Sequence, residues 1–191
     1  MICRQDHHSL SGVGQIQEYS QAQIVTKEMC DKMLGCGLPS HSIRNHNSPD
    51  CLWIPTDPPL LNQQTNLVIS SIKKIGSDLT NITMSLSGPS KIMMLISTSN
   101  EARLEQWSIG ELDSSLGVLS TQLLRGFGSN DPHIIWIIVK GWKEGDVTIT
   151  VAGHHTSGVS MRSGKLNEFI KKHPSWISVA GWNVEYKYYK I

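Results

Sequence analysis

The sequence predicts a mainly β protein: an antiparallel β-sandwich with one short amphipathic helix and an irregular N-terminal lead-in. Only 17% of the residues are charged and 39% are hydrophobic. Uncharged polar residues are therefore abundant, which favours strands and loops over helices. From about residue 66 onward, short apolar or alternating segments recur between turn sequences, as they do in two-sheet proteins. A segment near 163–173 has helical spacing instead.

We divide the chain into a lead-in, residues 1–62, and a β-sandwich domain, residues 63–191. Residues 35–62 are rich in Pro, Gly and Asn, which is typical of loops. Residues 15–34 show a weak helical pattern. We therefore expect the lead-in to be irregular or partly helical.

The predicted strands begin with residues 79–87, where Ile82, Met84 and Leu86 alternate with polar residues. This period of two indicates a half-buried strand. Gly88-Pro89-Ser90 is a turn sequence, so the apolar strand that follows is expected to form a hairpin with the first. The later predicted strands are residues 91–98, 102–109, 118–124, 133–140, 147–155, 175–182 and 183–190.

The helix is predicted near residues 163–173. Leu166, Phe169 and Ile170 lie at spacings of three and four, which places them on one helical face. Ser163 can cap the start of the helix, and Pro174 can end it. Lysines near its end favour the same boundary.

Cysteines occur only at Cys3, Cys30, Cys36 and Cys51. Four cysteines allow three full pairings. The spacing of Cys30 and Cys36 is compatible with a small disulfide loop if the compartment is oxidising. A zinc site is the alternative, although the C-x2-C spacing of common zinc sites is absent.

His154 and His155 are the candidates for metal ligands. They end the predicted strand 147–155, and adjacent strand residues point to opposite faces of a sheet. Two such imidazoles cannot easily bind one ion, so we expect structural roles. The alternative is a metal site that uses His154 or His155 together with distant ligands.

Two further residues are candidates for function at the surface. Asn81 begins the N-x-T sequence Asn81-Ile82-Thr83, a glycosylation acceptor if the chain passes through the secretory pathway. Of the six tryptophans, most are expected in the core, where large aromatics stabilise small sandwiches. Trp142 lies in a turn sequence and is the best candidate for an exposed binding surface.

Charge and hydropathy exclude several kinds of partner. The net charge is +1, from 17 basic and 16 acidic residues, and gives no signal for nucleic acid or an anionic membrane. Residues 92–96 and 134–139 are the longest apolar runs, far below the roughly 20 residues of a membrane span. The N-terminus lacks the apolar run of a signal peptide. We expect no nucleic acid partner, no signal peptide and no membrane insertion by this chain.

The order of several short motifs resembles the C-terminal lumenal domain of the endoplasmic reticulum metallopeptidase 1 family, over roughly residues 28–191. Cys30 and Cys36 are similar to a cysteine pair of that family. The remaining matched positions are Trp53, Pro55, Gly88-Pro89-Ser90, Trp107-Ser108, Val147-Thr148, His154, Ser157-Gly158, Leu166, Pro174, Trp176 and Trp182.

This resemblance implies a place in the endoplasmic reticulum lumen, attached to the membrane through a parent protein. The implied partners are the parent's peptidase domain and membrane spans, or another lumenal protein. In the family, zinc belongs to a two-zinc exopeptidase domain that no part of this sequence resembles. We therefore expect a non-catalytic accessory domain with no cofactor and no catalytic residue of its own. The alternative is an independent β-sandwich module that binds glycans or peptides.

Overall fold

A computed structural model of the chain describes residues 2–3, 23–24, 51–53, 60–99, 101–112, 118–124, 131–172, 174 and 183–191. The chain forms two compact units, Met1–Pro58 and Pro59–Ile191.

The first unit contains a small antiparallel sheet in the order β1-β3-β2. Its strands are β1 (Ile2–Cys3), β2 (Gln23–Ile24) and β3 (Cys51–Trp53). The helical prediction for residues 15–34 is wrong at Gln23–Ile24, because pairing with β3 overrides a weak local preference. The backbone of Cys3 lies opposite that of Cys51. Cys30 and Cys36 lie outside the described residues, so their disulfide stays a prediction.

The second unit consists of two four-stranded antiparallel sheets, which confirms the predicted mainly β fold class. Sheet I has the order β4-β5-β9-β7, and sheet II has the order β11-β10-β6-β8. The elements are β4 (Asn66–Lys74), β5 (Leu79–Ser87), β6 (Lys91–Thr98), β7 (Arg103–Trp107), β8 (Val118–Leu124), β9 (His133–Lys140), β10 (Val147–His155), a 3₁₀ turn (Val159–Met161), α1 (Gly164–Lys171) and β11 (Asn183–Lys190). The predicted strand 175–182 lies outside the described residues.

The predicted amphipathic helix is present as α1. Ser163 caps it, because the Leu166 amide donates a hydrogen bond of 3.3 Å to Ser163 Oγ. The Asn167 amide donates to the Ser163 carbonyl, which begins the helical hydrogen-bond pattern. Leu166 and Ile170 are half-buried, as expected for the apolar side of a surface helix.

The core lies between the two sheets. Alternate residues of the central strands of both sheets form one buried apolar cluster, as the period of two requires. Its fully buried members include Ile82, Met84 and Leu86 of β5, Ile92, Met94 and Ile96 of β6, Ile137 and Val139 of β9, and Ile149 and Val151 of β10.

The predicted hairpin between residues 79–87 and 91–98 is wrong. β5 pairs with β4 and β9, whereas β6 pairs with β10 and β8. The turn that begins at Gly88, with a φ of 155°, carries the chain from one sheet to the other. Alternation specifies only which face of each strand is buried. A β5–β6 hairpin and a pair of strands in separate sheets would bury the same residues, so the pattern could not exclude a hairpin.

The two edge strands β4 and β11 are joined across the sandwich. The Thr65 amide, just before β4, donates a hydrogen bond of 2.6 Å to Glu185 Oε2. The Leu67 amide donates one of 3.1 Å to the Tyr189 hydroxyl. Both acceptors belong to β11 of the other sheet. These bonds cover backbone amides on an edge strand, which would otherwise be open to pairing with another chain.

Gly153 permits a close approach between β10 and the segment before β4. A Cβ at this position would overlap Thr65 Oγ1 and would lie 3.0 Å from two ring carbons of Pro89. A glycine is therefore required here by space, since any side chain would displace the side chain of Thr65 or the ring of Pro89.

We expect Gly153→Ala to lower the free energy of unfolding by about 3 kcal/mol, the upper part of the usual cost of overpacking. The matched control is Gly164→Ala at the start of α1, where an added Cβ would meet nothing within 4 Å. That control should raise stability by up to about 1 kcal/mol, because alanine favours the helix. Urea unfolding of the two variants measures both effects, and equal midpoints would contradict the packing argument.

Candidate functional site

The first candidate site lies where the chain enters the sandwich, beside the end of β10. We call it the junction cluster (Asn62, Thr65, His154, His155, Ser160, Asn183 and Glu185). The Asn62 amide donates a hydrogen bond of 2.8 Å to Ser160 Oγ. Asn183 Nδ2 donates one of 2.7 Å to the Ser160 carbonyl. Ser160 thus links the incoming segment to the start of β11.

The two histidines of the junction cluster lie on opposite faces of β10. His154 is opposite Lys91 of β6, and His155 is opposite Asn183 of β11. Only 1% of His154 and 4% of His155 is exposed. The prediction that adjacent strand positions separate the two imidazoles agrees with this register.

Burial keeps both imidazoles uncharged at neutral pH. It is the main cause that lowers the pKa of His154 to about 4, with smaller contributions from the charges of Lys91 and His155. Burial also lowers the pKa of His155, although the nearby Glu185 carboxylate opposes this shift. Because the imidazoles are neutral, their burial does not carry the cost of burying a charge.

The described residues do not fit the zinc site that a metallopeptidase requires. A catalytic zinc needs three protein ligands around one point. In the part of the chain that the structure describes, no group of three or more His, Cys, Asp or Glu side chains could hold a metal ion. His154 and His155 face apart, so they do not provide two ligands to one ion.

Trp142 is half-buried in the turn between β9 and β10 and packs against the core cluster. Its indole nitrogen is buried without a hydrogen-bond partner among the described residues. Trp142 therefore contributes to the core, and its use as a binding surface stays a prediction.

The second candidate site is the outer face of sheet I, which we call the open face (Val68, Asn81, Thr83, Ser85, Ile134, Trp136 and Ile138). Val68 is 52% exposed and Ile134 is 62% exposed. In sheet II the centre of the outer face is buried, with Leu95 and Ala152 each 1% exposed, whereas Leu124 and Tyr188 on its edge strands are exposed. Ile134 lies on the central strand β9, and an exposed apolar surface at the centre of a sheet is a candidate contact surface.

Asn81 lies within the open face, on the central strand β5. It is half-buried and directly opposite Ile138 of β9 and Lys73 of β4. Thr83 is opposite Trp136. The sequence identified Asn81 as a glycosylation acceptor but gave no sign of the apolar residues beside it.

Sequence reasoning missed Glu185 and Trp136. Glu185 is the one acidic residue in the segment NVEYKYYK, and a carboxylate among aromatic and basic residues could have drawn attention to it. Trp136 stands in the continuous apolar run IIWIIV. Such runs indicate a strand buried on both faces, so the exposed face of β9 carried no separate signal.

These features define a two-sheet antiparallel β-sandwich domain with a buried pair of neutral histidines. A family model described as endoplasmic reticulum metallopeptidase 1, C-terminal domain, matches residues 1–189. The chain therefore belongs to this family, as its C-terminal domain. The match begins at residue 1, so it includes residues 1–27, which the resemblance of motifs did not cover.

Three relatives share the name endoplasmic reticulum metallopeptidase 1. The protein of Mus musculus is 30% identical over 118 residues, which is 59% of this chain and 13% of the relative. The protein of Rattus norvegicus is 29% identical over 118 residues, with the same coverage of 59% and 13%. The protein of Homo sapiens is 28% identical over 115 residues, which is 57% of this chain and 13% of the relative.

The match thus covers only a small part of each relative's length. No solved structure matches the chain. Among the described residues, no helix is long and apolar enough to cross a membrane.

We expect acid to destabilise the fold through His154. Its pKa is 6.5 in the unfolded chain and about 4 in the folded one. Below pH 6.5 the unfolded state therefore binds more protons, so stability present above pH 6.5 is lost as the pH falls towards 4. The loss amounts to at most about 3 kcal/mol. Urea unfolding from pH 7 to pH 4 measures it.

His154→Gln is the control for this pH dependence. Carboxylates titrate in both proteins, so the difference between the two stability curves isolates His154. The variant should lose less stability than the wild type between pH 6.5 and pH 4. Parallel curves would show that His154 is not the responsible group.

We expect Glu185→Ala to cost about 2–3 kcal/mol, because it leaves the buried Thr65 amide without its charged acceptor. Glu185→Gln keeps an acceptor and should cost about 1 kcal/mol. Hydrogen exchange of the Thr65 amide should accelerate most in the alanine variant. Glu168→Ala, on an exposed position of α1, is the matched control; an equal loss there would contradict the role of Glu185.

Proposed function

We propose that this chain is a non-catalytic accessory domain on the lumenal side of an endoplasmic reticulum membrane zinc metallopeptidase. It would support the peptidase domain, present substrate to it, or contact another lumenal protein. The family match supports this proposal, because the matched model is the C-terminal domain of a metallopeptidase. The match covers 13% of the mouse relative, so most of the length of that protein lies outside it.

The proposal that the domain is non-catalytic is supported mainly by the burial and orientation of His154 and His155. They are buried, they face apart, and burial lowers the pKa of both. Zinc hydrolases hold their ion at an open position where water and substrate can also bind. A sealed position at the end of a central strand does not offer that access.

The junction cluster supports an anchoring role. Asn62 and Thr65 follow closely on the boundary at Pro58–Pro59, and their amides are held by Ser160 and Glu185. The point at which the chain enters the sandwich is therefore fastened to two later segments. Such fastening suits a domain that is linked to a longer protein through its N-terminal side.

Metal content and aminopeptidase activity of the purified chain test the non-catalytic part. We expect less than about 0.1 zinc per chain after dialysis and no release of amino acids from unblocked peptides, since the described residues provide no ligand set for the ion. The double variant His154→Gln and His155→Gln is the control. One zinc per chain that disappears in the double variant, together with activity, would overturn the proposal.

Protease protection tests the lumenal part. The chain is expressed as the C-terminal domain of a full-length family member that carries a C-terminal tag. In sealed microsomes, the tagged domain should resist added protease. Detergent should abolish this protection. A tag that is digested in sealed microsomes while a lumenal marker survives would place the domain on the other side of the membrane.

A further inference from the structure

The open face combines exposed apolar residues with a modification sequence. Ile134, Trp136 and Ile138 follow one another on the outer side of β9, and Val68 lies across β5 from Ile134. The outer residues of β5 between them are smaller and polar: Asn81, Thr83 and Ser85. The open face therefore carries an apolar row beside a row of small polar residues that includes Asn81.

The geometry of Asn81 suits attachment of a sugar. The Thr83 hydroxyl donates a hydrogen bond of 3.4 Å to Asn81 Oδ1. Within the described part of the chain, Asn81 Nδ2 takes part in no hydrogen bond that would have to be broken. Side chains along β5 point alternately to the core and to the outer face. Ile82 and Met84 are buried in the core, so Asn81 belongs to the solvent side of sheet I.

Apolar neighbours surround Asn81 on the side of β9. Ile138 is directly opposite Asn81, and Trp136 is opposite Thr83, which makes Trp136 a diagonal neighbour of Asn81. Diagonal neighbours in an antiparallel sheet lie about 7–8 Å apart. A pyranose ring attached to Asn81 Nδ2 can bridge that distance.

We propose that an N-linked glycan on Asn81 covers the open face, with its first sugar packed against Trp136 and Ile138. This proposal rests on the lumenal placement proposed above. Asn81 Nδ2 forms a bond to C1 of the first N-acetylglucosamine of a lipid diphosphate-linked oligosaccharide. The bond between C1 and the diphosphate oxygen breaks, and the amide proton leaves with the lipid diphosphate.

A sugar suits this face because its composition is mixed. The C–H faces of a pyranose can cover Trp136 and Ile138, and its hydroxyls can bond to neighbouring polar groups. Such groups flank Asn81 on both sides: Lys73 is opposite it on β4, and Gln106 of β7 is opposite Ile138. A glycan on the central strand also excludes a protein from docking flat on this face.

The first experiment tests attachment. The full chain, placed behind a cleavable secretory signal and expressed in mammalian cells, should carry one glycan by intact mass. Asn81→Gln and Thr83→Ala should carry none, whereas Thr83→Ser should keep it. A wild-type chain without a glycan at Asn81 would overturn the proposal. Because the signal delivers the chain to the lumen, this failure concerns Asn81 and leaves the microsome test of natural placement separate.

The second experiment tests packing. Cells grown with a mannosidase inhibitor give a glycan that endoglycosidase H trims to its first sugar. Compared with the chain that carries the full glycan, Asn81→Gln exposes the open face and should bind at least about threefold more of a hydrophobic dye. The single-sugar form should bind little more dye than the fully glycosylated chain. The sugar should also raise the unfolding midpoint.

Trp136→Ser separates packing from mere attachment. In this variant, the difference in unfolding midpoint between sugar-bearing and sugar-free chains should fall by at least about half, because the sugar loses its aromatic contact. Tyr188→Ser, exposed on the edge strand β11 of sheet II, is the matched control and should keep the full difference. A sugar with equal effects in both variants would refute packing against Trp136.

Discussion

The sandwich depends on the bonds between its two edge strands, β4 and β11. The amides of Thr65 and Leu67 belong to one edge, and Glu185 and Tyr189 reach them from the other sheet. A carboxylate that accepts a backbone amide forms one of the stronger hydrogen bonds in proteins. These two bonds therefore join the sheets and cover edge amides at the same time.

The position of Glu185 also influences the histidines. Its carboxylate opposes the lowering of the pKa of His155, whereas Lys91 adds to the lowering for His154 on the other face of β10. Both imidazoles are nevertheless neutral at pH 7, because burial is the larger effect. Gly153, immediately before them, lets Thr65 approach β10 closely. The junction cluster is thus a packed polar interior, which supports an anchoring role for it.

The two outer faces of the sandwich have different surroundings. The outer face of sheet II is buried at Leu95 and Ala152, whereas Val68 and Ile134 leave the open face of sheet I accessible. A glycan at Asn81 would cover the apolar side chains of the open face.

The sequence by itself determined most strands, the helix that Ser163 caps, and the separation of His154 from His155, because these follow from local periodicity. It did not determine which strands pair: the hairpin expected after Ser87 is absent, and the edge strand β4 was not predicted. Glu185 and Thr65 meet across 120 positions of the chain. The tertiary structure decided such contacts, since only folding brings distant strands together. It also decided the burial that keeps the histidines neutral and the apolar neighbours of Asn81.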